Sequence, residues 1–443
     1  MFKTFQNALK VKEVRQKLLF TLFILVIVRL GSGIPVPGTD SSYIATLLAG
    51  LKDNMGFLNA ITGGSFEKFS VFALGINPYI TSSIIMQLLT IAIPKLEEMQ
   101  KDGEEGRKKI AEFTRYLTVI LALIQSVAMA IGFGNKGLID NYGAMSIFGK
   151  ICAVAAVVIV LTAGSAVLMW LGERITEKGI GNGISIILVI NILSRIPNDL
   201  YSLYEAFMQG QSIAMQVFAA LVIAAIIIGV VVLTIILQDG VHKIPVQYAK
   251  KMQGRKMVGG NSSFIPLKVN TAGVIPVIFA SSILSLPAIF ASFFTIKSTF
   301  WNHILAGMSS SNWFRASAPW YSIGLIVYLA MIIVFAYFYT SITFNPVEIA
   351  NNMKKQGGFI PGIRPGKPTS DYLNKILNYI VFIGAGFLAV IAVIPIFFAG
   401  VFSIQQVSFG GTSIIIIVGV ALETIKQVES QMLVRNYKGF LND

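Results

Sequence analysis

Apolar runs alternate with polar or basic stretches ten times along the chain. A helix crossing a bilayer needs about 20 predominantly apolar residues, and runs of that kind predict one. The predicted spans are residues 18–34, 69–93, 113–133, 144–171, 184–196, 213–237, 269–294, 320–344, 376–398 and 409–422. Span 5 is short and begins at Gly181-Asn182-Gly183; span 7 carries Pro276 and Pro287. The basic segment 1–17 sets Phe2, Phe5 and Leu9 on one helical face, the pattern of a helix lying on a membrane surface. Arg29, near the outer end of span 1, can snorkel to the interface.

The stretch 53–94 breaks the rhythm. Ahead of span 2 it carries a helix-compatible stub over 55–62, which Asn54 can cap and Gly63-Gly64 can end. The stub is far too short to cross a bilayer at about 1.5 Å per residue. Broken helices in membranes are tolerated inside protein or beside a watery cavity, so the stub reads as a movable piece seated in a cavity. An ordinary extracytoplasmic loop with one apolar turn fits the same residues.

The polar connection 198–212 divides the spans into five and five, which invites an inverted-repeat reading. No residue-level self-similarity between the halves is visible. Two loops are long and basic. In 238–268, HKIPVQYA and SSFIPLKV flank KKMQGRKMVGGN, predicting two strands with an exposed basic tip. The other, 345–375, holds GGFIPGIRPGKP.

Composition sharpens the class. Hydrophobic residues make up 55% and charged residues 13%, with a mean hydropathy of +0.73. Soluble domains are roughly a quarter charged, so this is an all-α polytopic membrane protein. The basic start followed by an apolar run resembles a signal peptide, but nine further spans favour a retained first span. Cys152 is the single cysteine, which excludes an intramolecular disulfide framework; within an apolar span it fits as packing. The net charge of +14 is topology more than nucleic-acid affinity. Most of the 35 Lys and Arg lie in the segments that share a side with the termini, which predicts cytoplasmic termini.

The residues exclude several chemistries. His242 and His303 fall in loops, so neither an intramembrane zinc site nor a serine–histidine pair is available. GIRPGK at 362–367 is one residue short of a P-loop, with Pro368 where a magnesium-binding hydroxyl would stand. No catalytic, cofactor or metal site is evident. Ionisable residues inside spans usually mark ion routes. Here only Glu423 approaches a span end; Asn77, Gln87, Gln125, Asn191, Ser281 and Ser282 are polar but neutral. A coupled ion transporter normally needs more, whereas a pore for varied cargo does not.

Five segments then stand in order: FALGINPYITSSIIMQLL, GERITEKGIGNGISI, PLKVNTAGVIPVIFASSI, FNPVEIANNMKKQGGFIPGIRPG and FGGTSIIII. On these the chain resembles the SecY family of protein-translocase channel subunits over essentially its whole length. The resemblance implies two pseudo-symmetric five-helix halves, 18–197 and 213–430, around a central hourglass pore, with a cytoplasmic tail over 431–443. It implies a plug at 55–64, carried by Met55, Phe57, Leu58, Ile61, Gly63 and Gly64. It implies a pore ring of Ile80, Ile84, Ile184, Leu188, Ile278 and Ile416, with Leu188 where isoleucine is common. Lipid-facing or core packing is the plainer reading of each ring residue. A lateral gate between spans 2–3 and 7–8 would use Gln87, Gln125, Ser281 and Ser282, unless these are simple helix–helix hydrogen bonds. Arg255, Lys256, Arg364 and Lys367 would dock the ribosome, through its RNA, and the SecA motor. The other implied partners are SecE-like and SecG-like subunits, signal peptides, nascent polypeptides and membrane lipids. The implied location is the bacterial cytoplasmic membrane. The alternative function is a secondary transporter of a small solute with inverted five-helix repeats.

Overall fold

A computed structural model describes residues 10–40, 61–139, 142, 145–210, 212–248, 251–253, 256–258, 262–293, 298–314, 319–401 and 411–439. Every predicted span falls on a helix. These are α1 (Lys12–Gly31), α2 (Asn77–Ala92), α4 (Glu104–Phe133), α5 (Ile147–Lys178) and α6 (Gly183–Phe207) in the first half. The second half has α7 (Ile213–Asp239), α8 (Ile275–Phe293), α10 (Ile323–Thr343), α12 (Lys367–Val401) and α13 (Gly411–Gly439), with the short α9 (Thr299–Met308) and α11 (Pro346–Lys355) between them. Helices α4, α5, α6, α7, α12 and α10 with its flanks are each long and apolar enough to cross a membrane. Helix α2 qualifies only together with α3 (Pro94–Lys101), from which it bends by 101°. The bend lies at Ile93, held extended at φ −114° and ψ 111°. A residue before proline is pushed out of the helical region, so Pro94 ends the span and turns the chain sideways.

The repeat that the sequence hides is plain in the packing. In the first half α1 packs on α5 and α6, α2 on α4, α4 on α5, and α5 on α6. By order, the same five pairings recur in the second half: α7 on α12 and α13, α8 on α10, α10 on α12, and α12 on α13. The likeness reaches single residues where spans 2 and 7 begin. Residues 75–80 read GINPYI and residues 273–278 read GVIPVI. Gly75 and Gly273 both take a left-handed conformation, φ +60° and +64°. Pro78 and Pro276 each stand second in the helix that follows, where a missing N–H costs nothing. Ile80 N–H then donates to Ile76 O at 3.1 Å, and Ile278 N–H to Val274 O at 3.2 Å. Ahead of each glycine the chain runs in turns, and a neighbouring helix lies hard against it. A Cβ on Gly164 of α5 would collide with the Val71 carbonyl, and one on Gly384 of α12 with the Val269 carbonyl.

These entries correct the predicted spans. Residues 69–76 and 269–274 are not helical. Their backbone survives at membrane depth because it is enclosed by protein and paired. Val71 N–H donates to Ile34 O at 2.9 Å, Val36 N–H to Phe69 O at 3.0 Å, and Gly75 N–H to Phe72 O at 2.8 Å. Ser165 Oγ of α5 donates to Gly75 O at 3.3 Å. Span 5 is longer than predicted. Asn182 Oδ1 caps α6 by accepting from Ile184 N–H and Ser185 N–H, and the helix runs through Pro197 to Phe207, into the predicted connecting loop. Residues 12–17 belong to α1, with Val14 buried among Ile180 and Val428, and Phe2, Phe5 and Leu9 lie outside the described residues. Cys152 is exposed on α5 and is not core packing.

The close approaches give a direct test. Gly164→Ala and Gly384→Ala should each destabilise the fold by about 1–3 kcal/mol, the usual cost of overpacking. Gly386→Ala, on the same helix as Gly384 with nothing within 4 Å, should be near neutral. Thermal unfolding in detergent measures all three.

Candidate pore and stub

The halves meet along two seams. On one, α2 and α4 face α8; on the other, α6 and α1 face α13. One continuous buried apolar cluster bridges them. It holds Ile80 and Ile84 of α2, Leu188 of α6, Ile278 of α8 and Ile416 of α13, the most exposed of these at 6%. Ile80 and Ile84 lie one turn apart, so they share a face. Ile184 is half-buried at the edge of this cluster, and a Cβ on Gly172 of α5 would sit 2.6 Å from its Cδ1. Its Cδ1 therefore lies against α5, while the residue still packs on the cluster that holds the other five.

The end of the stub reaches the same cluster. Ile61 is 2% exposed within it. Met55, Phe57, Leu58 and the proposed cap Asn54 lie outside the described residues. Gly63 and Gly64 are left-handed, φ +64° and +82°, as expected of residues that stop a helix. The last carbonyls of a helix lack partners within it, and here side chains of α1 and α6 supply them. Asn191 Nδ2 donates to Ile61 O at 3.0 Å, and Arg29 Nη1 to Gly63 O at 3.3 Å. Ser194 Oγ lies 3.5 Å from the same Gly63 oxygen. Arg195 pairs with Glu67 at 3.4 Å just beyond. Arg29 thus turns inward rather than snorkelling outward. The sequence carried a signal for this: Asn191, Ser194 and Arg195 fall on one face of an otherwise apolar span.

The family model for SecY matches residues 70–425. The chain belongs to the SecY family. The Protein translocase subunit SecY of Halalkalibacterium halodurans is 46% identical over the full length of both chains. Two solved structures share the fold at 18% identity, each covering 94% of this chain and 92% of its own. One, described as a protein conducting channel, has a TM-score of 0.62. The other has a TM-score of 0.59 and is described as showing that the SecY plug domain stabilises the closed state of the translocation channel and maintains a membrane seal.

In this SecY-family chain the four residues expected at the gate lie on the three helices of the first seam. Gln125, Ser281 and Ser282 are buried. Gln87 Nε2 donates to Ser83 Oγ, one turn back on its own helix, at 3.4 Å. Gln87 Oε1 and Ser282 Oγ are buried with no hydrogen-bond partner. A direct polar tie between α2 and α4 comes from other residues: Ser82 Oγ donates to Thr114 O at 2.9 Å and lies 2.7 Å from Thr118 Oγ1.

The two basic loops form one platform. As predicted, the two segments hold strands, β1 (Val241–Tyr248) and β4 (Ser262–Lys268), paired antiparallel with Ile244 opposite Ile265. The tip carries a small hairpin of β2 (Lys251–Gln253) and β3 (Lys256–Val258). Lys256 begins β3, while Arg255 lies outside the described residues. Unforeseen in the sequence, β5 (Gly358–Phe359) of the second loop pairs with β1, giving the order β4-β1-β5. Ile244, Val246 and Leu267 of the first loop pack with Met353 and Ile360 of the second and Leu373 of α12. Arg364 and Lys367 are exposed beside this core, and Thr369 Oγ1 fixes the turn by donating to Arg364 O at 2.8 Å.

Proposed function

We propose that the chain is the protein-conducting channel subunit of a Sec-type translocase in a bacterial cytoplasmic membrane, with both termini cytoplasmic. It passes unfolded secretory polypeptides across the bilayer and releases apolar segments sideways into lipid. One observation carries this reading: both halves send aliphatic residues into one buried cluster where they meet, Ile80, Ile84 and Leu188 from the first and Ile278 and Ile416 from the second. A conduit for unfolded chains must admit every kind of side chain yet hold back ions. Fixed charges would trap cargo of opposite sign, and fixed hydrogen-bonding groups would favour some sequences. Aliphatic side chains avoid both, and a narrow apolar gap resists ions by dewetting. Ile80, Ile84, Ile184, Leu188, Ile278 and Ile416 form this constriction. Residues 55–64 plug it, which the burial of Ile61 in the same cluster supports.

The seam of α2 and α4 with α8 is the gate to lipid. Its polar residues Gln87, Gln125, Ser281 and Ser282 separate at less cost than a fully matched interface would, since Gln87 Oε1 and Ser282 Oγ have no partner to lose. The platform docks the ribosome and the SecA motor through Arg255, Lys256, Arg364 and Lys367. Guanidinium groups pair with phosphate and carboxylate alike, which suits ribosomal RNA and an acidic protein surface. A SecE-like subunit clamps the two halves, a SecG-like subunit accompanies it, and signal peptides and nascent polypeptides are the cargo.

A vesicle assay with the chain and its small subunits tests the function. A signal-bearing polypeptide should become protease-protected only with the motor and ATP, or with a translating ribosome. Uptake of a small solute without them would favour a secondary transporter instead.

Replacing Ile84 and Ile278 together with Ser should raise resting ion conductance in a planar bilayer, most clearly with residues 55–64 deleted. Replacement with Val should change little, and equal leakage from both variants would remove these residues from the constriction. Arg364→Glu should lower motor-driven export roughly tenfold, the effect of about 1.4 kcal/mol of lost docking, without loss of membrane-inserted protein. Unchanged export would end the docking role.

A further inference from the structure

We infer that Asn191 is the positioning residue of the plug: with Arg29 it anchors the trailing end of the stub so that Ile61 stays seated among the aliphatic ring residues. The inference rests on the plug reading above and adds to it the residues that set how readily the seal opens.

The argument is one of unmade hydrogen bonds. Asn191 is 2% exposed and its amide donates to Ile61 O at 3.0 Å. Withdrawing Ile61 strips the Asn191 amide of its acceptor and takes the Gly63 oxygen from Arg29. A buried donor such as the Asn191 amide, left without a partner, carries the full cost of desolvation, which is why the anchor resists withdrawal. The fit is tight: a Cβ on Gly63 would lie 2.9 Å from Asn191 Cα and 3.0 Å from Arg29 Nη1. The helix places the anchor by simple periodicity. Asn191 lies three residues beyond Leu188 on α6, about one turn, so neighbouring positions present an apolar contact to the cluster and then a donor to the stub. Both donors belong to α1 and α6, helices of the first half. Parting of α8 from α2 and α4 therefore breaks neither bond, and the anchor sets its own threshold, separate from that of the gate.

The test uses the full chain with its small subunits, in a Cys152→Ser background carrying Ile61→Cys. Asn191→Leu, close to asparagine in size but without the donor, should speed labelling of that cysteine by an impermeant thiol reagent about tenfold. In a planar bilayer, with Ile61 restored, Asn191→Leu should raise resting ion conductance, and should add nothing once residues 55–64 are deleted. Asn191→Ala, too short to reach and adding no bulk, gives the same prediction should Leu reduce insertion. Unchanged labelling with either variant overturns the anchor, as does a conductance rise of equal size in the deleted channel, which would make Asn191 part of the pore wall. If deletion of 55–64 alone leaves conductance unchanged, the plug reading fails instead, while the labelling arm still decides whether Asn191 holds Ile61.

Discussion

The fold depends on the need to satisfy backbone polar groups away from water. Spans 2 and 7 both enter as irregular chain, and such chain endures at membrane depth only when enclosed. Enclosure requires a helix with no side chain at the point of contact. Gly164 of α5 and Gly384 of α12 meet that need against Val71 and Val269. The five-helix arrangement of each half can be understood from this point: one helix seals the broken span, and the remaining pairings carry that helix into the bundle.

The same entries position the apolar centre. A left-handed glycine followed by proline as the second helical residue fixes where α2 and α8 start. Ile80 and Ile278 are then both in the first turn, each donating to the residue four before it. The two halves thereby offer equivalent aliphatic side chains to a shared cluster without needing similar sequences elsewhere. Ile84 of α2 has Ser282 as its counterpart at the same offset in α8, so the two faces diverge one turn later. One face is wholly aliphatic, and the other turns polar at the seam.

Much of this was legible in the sequence, for physical reasons. Long apolar runs identify helices that face lipid because lipid tolerates little else. Asn182 and its flanking glycines announced the start of α6, and two segments flanking the turn-rich KKMQGRKMVGGN announced β1 and β4. The irregular entries were not legible, because residues 69–76 and 269–274 are as apolar as the helices they precede and hydropathy does not distinguish the two. The six-residue repeat at 75–80 and 273–278 was present but short, with β-branched exchanges that blur it. Arg29 was misread because snorkelling and inward pairing demand the same residue at the same depth. Only the position of the Gly63 carbonyl separates them. The strand pairing of β5 joins loops about 110 residues apart, and a two-residue strand has no periodicity to find.

That pairing has a mechanical consequence. Both loops of the platform spring from the second half, and the sheet with its small apolar core welds them into one body continuous with α12. A load applied to either loop is therefore not absorbed by bending of that loop. It is delivered whole to the second half, while the first half receives it only across the two seams. The platform acts as a crank arm: a push on its edge becomes torque between the halves, and the seam that yields first is the one with less holding it shut.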